Sequence, residues 1–250
     1  MINGKPFISI IIPVYNVEPY VEACIESVMR QTYDGQMECI VVDDCGTDKS
    51  MEIVEKLIAE YTGPFSFIVI HHERNRGLSS ARNTGMDNVK GDYLFFLDSD
   101  DEITDDCIEK LVEPLNHEYY DIVVGSIAIY GGKQPYNLLR LHLPDQTILR
   151  GIDILNTYRT KWNMMAQNKL YRTGFVRESY LSFCEGLIHE DELWSFQIAC
   201  MANSLYAIQQ TTYLYRIRKN GIKSLSKGEN RMKNLTILVK EIRGRGIVLC

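Results

Sequence analysis

The sequence is most informative first in what it lacks. No window of its 250 residues approaches the ~18 uninterrupted apolar residues that a membrane-spanning helix requires. The start, Met1-Ile2-Asn3-Gly4-Lys5-Pro6, runs directly into strand-like sequence, without the apolar core and small-residue cleavage site of a secretory leader. Cysteine is sparse: seven residues, an odd count, with no Cys-x-x-Cys spacing and no Cys/His cluster of the kind that holds structural zinc. Cys24, Cys107 and Cys200 fall in apolar-periodic stretches and read as buried thiols in a reducing compartment. Two nucleotide fingerprints are also missing. No Gly-x-Gly-x-x-Gly follows the first apolar strand and no Gly-Lys-Ser/Thr loop occurs, which excludes a plain NAD-binding enzyme and a P-loop NTPase. Repeats, low-complexity tracts and long linkers are absent, so one compact body is expected.

Hydrophobic residues make up 45% of the chain and charged residues 24%, ordinary proportions that rule out a disordered chain. The net charge of −6 hides an asymmetry. Residues 211–250 carry ten basic and two acidic side chains, or +8, and residues 1–210 carry 17 and 31, or −14. A basic tail on an acidic body suits either a phosphate-bearing or anionic surface, or a last helix that is merely well solvated.

The first hundred residues alternate strand and helix. Phe7 to Ile12 is a β-branched run ended by Pro13, as in a strand buried on both faces. Asn16 can cap the following helix, with Pro19 in its first turn. Strands are expected at 39–42, 65–70 and 93–97, with helices between them. This alternation demands right-handed crossovers and a mostly parallel, Rossmann-like α/β sheet, which takes its ligands at the strand carboxyl ends. The second hundred is less regular. Strands are expected at 122–129 and 213–217, a variable loop at 131–144, and helices at 151–159, 189–201 and, through Met232, Leu235, Val239 and Ile242, near the end.

Three clusters fall at strand carboxyl ends: Pro13-Val14-Tyr15-Asn16, Asp43-Asp44 and Asp98-Ser99-Asp100-Asp101. Such a sheet brings them to one rim, with no nearby basic run to neutralise them all. Like charges that close raise one another's pKa or require a cation, and a hard divalent ion with oxygen ligands is the economical answer. Asp and Ser also favour turns and helix caps, so an Asp-x-Asp alone is weak; its place directly after a buried apolar strand favours chemistry.

In order, the blocks ISIIIPVYNV (8–17), VVDDCGTD (41–48), NRGLSSARNTG (75–85), GDYLFFLDSDDE (91–102), NKLYR (168–172) and the Glu190-Asp191 pair in IHEDELW resemble the successive motifs of family 2 glycosyltransferases of the A-type fold. The resemblance implies an inverting transfer from a nucleotide-diphosphate sugar, usually with Mg2+ or Mn2+. Pro13 and Tyr15 would line the nucleotide pocket, Asp43 or Asp44 would receive the base, and Arg82 would lie near the nucleotide. Asp98, with Ser99, would approach the ribose or the metal, and Asp100 would ligate the metal. Asp191, or failing it Glu190, would be the general base. Arg216, Arg218 and Lys219 could close over the diphosphate. One departure stands out. The second block commonly reads Asp-Asp-Gly-Ser, whereas Cys45 follows Asp44 here, so a positive φ at that position would strain it.

The expected organisation is a nucleotide-sugar half (1–102), an acceptor half of the same domain (103–217) and a basic helical extension (218–250). The expected protein is cytoplasmic, peripheral at the inner face of the membrane, and moves a sugar, with UDP the favoured carrier, to a hydroxyl of a glycan or lipid-linked acceptor in cell-surface polysaccharide synthesis. An apolar stripe near the end could form a homodimer; no nucleic-acid partner is expected. A nucleotidyltransferase and a non-catalytic nucleotide-sugar module are the competing classes. The former normally carries a basic Gly-rich loop after its first strand, where this chain has Pro13-Val14-Tyr15-Asn16.

Overall fold

The computed structural model describes residues 4–131, 141–158, 160–162, 165–187 and 189–218. The chain alternates through β1 (Ile8–Val14), α1 (Val21–Met29), β2 (Met37–Asp43), α2 (Ser50–Glu60), β3 (Ser66–His71), α3 (Leu78–Asp87) and β4 (Tyr93–Phe96). It continues through β5 (Glu102–Ile103), α4 (Cys107–Val112), β6 (Ile122–Tyr130), β7 (Thr147–Arg150), α5 (Ile152–Thr157), β8 (Lys169–Arg172), α6 (Thr173–Glu178), α7 (Glu190–Met201) and β9 (Ser204–Arg216). Among the described residues the nine strands form one sheet in the order β3-β2-β1-β4-β8-β6-β9-β5, with β7 paired to β9.

The β-branched run of β1 is buried on both faces, as its composition requires. Ile8, Ile10 and Ile12 pack with Val21, Cys24 and Val28 of α1, whereas Ile11 faces Ala81 of α3 on the opposite side. The apolar alternation of the sheet thus builds two cores, one under each helical layer.

The expected parallel sheet covers β3, β2, β1 and β4. Beyond β4 the pairing turns antiparallel at β8, β7 and β5, with β6 and β9 parallel to each other. The strands joined by α4, by α5 and by α6–α7 are not sheet neighbours, so the parallel order of a strand–helix–strand crossover is not imposed on them. β9 is 13 residues long and starts well before the expected Tyr213. Its polar centre, Gln209 to Thr212, coincides with the register shifts against β6 and conceals the strand in the sequence.

Two local expectations are corrected. Pro13 does not end β1; it stays in register with Val42, because β4 pairs only as far as Ile11 and leaves no ladder partner needing the missing N–H. Asn16 does not cap α1, which begins at Val21; its backbone is left-handed (φ 50°) and its Oδ1 accepts the Thr47 N–H at 2.8 Å. Cys24 and Cys107 are buried as expected, and Cys200 is partly buried. The expected final helix and most of the 131–144 loop lie outside the described residues. Among the described residues no helix is long and apolar enough to cross a membrane.

Candidate functional site

The carboxyl ends of β1, β2 and β4 open onto a cleft of about 650 Å3. Pro13, Tyr15, Asp44, Arg82, Asp98, Ser99 and Asp100 line it, together with Glu190, Asp191, Arg216 and Arg218 from the second half of the chain. Of the residues singled out from the sequence, Asp43 lies outside the lining and Lys219 outside the described residues.

The two consecutive aspartates at the end of β2 have different surroundings. Asp44 is 2% exposed and its carboxylate is fully engaged. Its Oδ1 accepts the Arg76 N–H at 2.8 Å and lies 2.7 Å from His72 Nδ1; its Oδ2 accepts Asn75 Nδ2 at 2.9 Å and the Gly77 N–H at 2.8 Å. His72 is braced in turn by Thr84, 2.9 Å from its Nε2. Gly77 has φ +87° at the entry to α3, a conformation that favours glycine. Asp43 instead receives the Cys45 N–H and pairs with His71 Nδ1 at 2.9 Å. The left-handed position after Asp44 is real: Cys45 has φ 58°. Gly46 serves another need, since a Cβ there would sit 3.2 Å from the Asn16 backbone nitrogen.

At the end of β4, Asp98, Asp100 and Asp101 place carboxylate oxygens within 4.8 Å of one another. Burial, then the neighbouring Asp98, pushes Asp100 up to about 6, and burial with both other acids holds Asp101 well above the usual range. This all-oxygen donor set fits a hard divalent cation such as Mg2+ or Mn2+. No sequence-local basic run is expected to neutralise this rim, and the basic groups that reach it, Arg82, Arg216 and Arg218, come from other elements. Asp98 Oδ1 accepts Arg82 Nη2 at 2.8 Å and its Oδ2 the Gln167 amide. Asp101 accepts the Tyr213 hydroxyl and the Arg216 N–H, both at 2.7 Å. Asp100 Oδ2 lies 2.5 Å from Arg218 Nε.

Arg82 crosses the floor of the cleft. It is 1% exposed, stacks over Phe183 with 5.1 Å to the ring centre, and donates from Nη1 to Glu190 Oε1 at 2.6 Å. The carboxylates of Asp98 and Glu190 more than offset the cost of its desolvation and hold its pKa above the ordinary value. Glu190 opens α7, behind His189 in a left-handed conformation (φ 64°). Asp191, beside it, makes no hydrogen bond or ion pair among the described residues. Burial, followed by the negative charge of Glu190, pushes its pKa up to about 7 against the opposing pull of Arg82. Lys169 is not solvated. It is fully buried, donates to the Met165 and Gln167 carbonyls, and is brought down to about 7 by desolvation.

Residues 9–179 match Glycosyl transferase family 2. The chain belongs to this family. It is 32% identical to the glycosyltransferase GlyA of Streptococcus pneumoniae over 225 residues, 86% of this chain and 31% of GlyA. It is 31% identical to the uncharacterised glycosyltransferase EpsJ of Bacillus subtilis, across 87% of this chain and 63% of EpsJ. The chain therefore spans about a third of the first relative and under two thirds of the second. The crystal structure of Staphylococcus aureus TarS 1–349 with UDP-GlcNAc superposes with a TM-score of 0.79 and 24% identity, over 94% of this chain and 66% of that one. This agreement establishes the A-type glycosyltransferase fold.

Within this family 2 scaffold the two arginines at the end of β9 differ. Arg216 is anchored: its Nη2 meets Glu102 Oε1 at 2.7 Å, its Nε donates to the Asp100 carbonyl, and its guanidinium stacks over Tyr130 at 4.6 Å. Arg218 has Asp100 and the Tyr20 ring. Sequence reasoning missed Gln167 and His72. Gln167 lies just before the NKLYR block, and His72 just before NRGLSSARNTG; neither spacing marks them, because their partners Asp98 and Asp44 come from other strands.

Proposed function

We propose that the protein is an inverting glycosyltransferase that moves a sugar from a nucleotide-diphosphate sugar, with UDP the favoured carrier, to a hydroxyl of a glycan or lipid-linked acceptor in cell-surface polysaccharide synthesis. The observation that carries this reading is the convergence of the strand-end acids and Asp191 on one cleft from separate parts of the chain. Pro13, Tyr15 and Asp44 line the end that takes the nucleoside, with Asp43 just outside it. The saturated Asp44 holds the Asn75–Gly77 wall in place. Likeness to TarS, crystallised with UDP-GlcNAc, supports a uridine carrier.

Direct displacement needs a carboxylate to take the acceptor proton as the glycosidic carbon is attacked. Asp191 suits this role because it is unpaired among the described residues and its pKa is close to neutral. Glu190 is committed to Arg82. Arg82, in the same network, fixes the orientation of Asp98 at the cleft. Asp100, with Asp98, would hold Mg2+ or Mn2+, which when bound supplies Lewis-acid stabilisation of the diphosphate leaving group. Arg218 is the basic residue at the β9 end best placed to meet phosphate oxygens, since Arg216 is anchored. A peripheral site at the inner membrane face, the basic 218–250 extension and a homodimer stay part of this reading.

The test compares Asp191→Asn with the parent protein on a panel of nucleotide sugars with Mn2+. Turnover is expected to fall by ~10²–10⁴-fold while donor-induced thermal stabilisation persists. Unchanged transfer in the variant would remove Asp191 as the base, and the absence of any sugar-nucleotide binding would remove the transferase reading.

A further inference from the structure

We propose that Arg218 is a displaceable cation, which neutralises the strand-end acids in the unliganded protein and leaves Asp100 when a divalent ion enters. The inference deepens the reading above and rests on it for the identity of the ion's site.

The three acids are not equivalent. Asp98 is held on one oxygen by Arg82 and on the other by Gln167. Asp101 is 1% exposed and is held by the Tyr213 hydroxyl and the Arg216 N–H. These partners are themselves anchored, Arg82 by Glu190 and Tyr213 by the β9 ladder. The Asp100 side chain depends on Arg218 alone for a described side-chain partner, through one contact of 2.5 Å.

Arg218 is the least anchored of the partners. It lies two residues beyond the end of β9, and the last backbone bond before it is the Ile217 N–H to the Tyr130 carbonyl. Its side chain keeps 27% of its surface exposed and rests on Tyr20 with 5.6 Å to the ring centre. The anchored Arg216 therefore serves as a fixed pivot, past which Arg218 can move without breaking the sheet.

A guanidinium and a divalent cation cannot share the same carboxylate oxygen, and in this partly buried cluster their repulsion is strong. The two therefore compete. By linkage, whatever Arg218 takes from cation affinity, the cation takes from the Arg218–Asp100 pair. Once released at the mouth of the cleft, the guanidinium can pair with diphosphate oxygens, for which its planar fork is suited. The cation alone then binds weakly, and the cation with a nucleoside diphosphate binds strongly, because only in the second case does Arg218 regain a partner.

The experiment titrates Mn2+ without nucleotide, following free Mn2+ by electron paramagnetic resonance, in the parent protein, Arg218→Ala, Arg218→Lys and Asp100→Asn. Removing the competitor in Arg218→Ala is expected to tighten Mn2+ binding on the order of tenfold, the equivalent of ~1.4 kcal/mol. Arg218→Lys keeps a cation and should stay near the parent, and Asp100→Asn should abolish Mn2+ binding. UDP added at saturating Mn2+ should bind more weakly to Arg218→Ala than to the parent. An Mn2+ affinity that is unchanged or lowered in Arg218→Ala overturns the proposal. So does Mn2+ binding to neither protein, which would make Arg218 the resident cation. Failure of the transferase reading gives a different result: no UDP or sugar-nucleotide binding to the parent at saturating Mn2+, with the nucleotide-free titrations still readable.

Discussion

The guanidinium of Arg82 lies 2.6 Å from the carboxylate of Glu190, 108 residues further along the chain. That contact separates two adjacent acids. Glu190 becomes part of a buried ion-pair network, and Asp191 is left to titrate near neutrality. The opening of α7 would favour ionised carboxylates through the helix dipole, yet burial and the crowding of like charge outweigh it at Asp191.

This predicts a pH profile. The groups that act on Asp191 are Glu190 and Glu192 on α7, Arg82 on α3, Asp98 after β4 and Lys169 on β8. A base must be deprotonated, so kcat/KM should rise as pH passes through about 7 and level off above it. The acid limb should move to lower pH if Glu190 is neutralised, because that removes the larger of the neighbouring negative charges that raise Asp191. A profile flat from pH 5.5 to 8 would contradict the assignment.

Arg82→Met should be costly to stability as well as to activity. It leaves Asp98 and Glu190 without their shared cation in a nearly dry site, and breaking a buried pair in this way typically costs about 3–5 kcal/mol. Arg82→Lys should recover only part of this, because one ammonium cannot span two carboxylates as the fork does. Chemical denaturation of both variants checks the order.

Lys169 offers a test by linkage. Its folded pKa is depressed from 10.5 to about 7, so between those values the unfolded chain binds the extra proton. The stability of the parent relative to Lys169→Met should therefore increase as pH rises from 7 to 9. If the stability of the parent relative to Lys169→Met stays level or falls over that range, the buried ammonium is better compensated than its surroundings indicate.

The loop after β2 predicts an asymmetry between neighbours. Cys45→Gly relieves a left-handed φ of 58° and should change stability by no more than ~1 kcal/mol, in the favourable direction. Gly46→Ala should destabilise, because its Cβ would press on the Asn16 backbone. Thermal melts of the two variants read the difference directly.

Much of this protein was legible in the chain itself. The continuous β-branched run of β1 could only be a strand buried on both faces, and the polar clusters after β1, β2 and β4 had to meet at one rim once those strands were parallel. Hydrophobic periodicity and strand-end chemistry are local properties, and they suffice for the α/β class and for the acids that face the cleft. Tertiary structure decided between residues with the same local chemistry. Asp43 and Asp44, Glu190 and Asp191, and Arg216 and Arg218 are near neighbours of like type, and nothing in their spacing tells them apart. His72, Arg82 and Glu102, each from another element, do so by claiming Asp44, Glu190 and Arg216. Burial and ion pairing depend on distances between segments far apart in sequence, and those distances exist only after the sheet has closed.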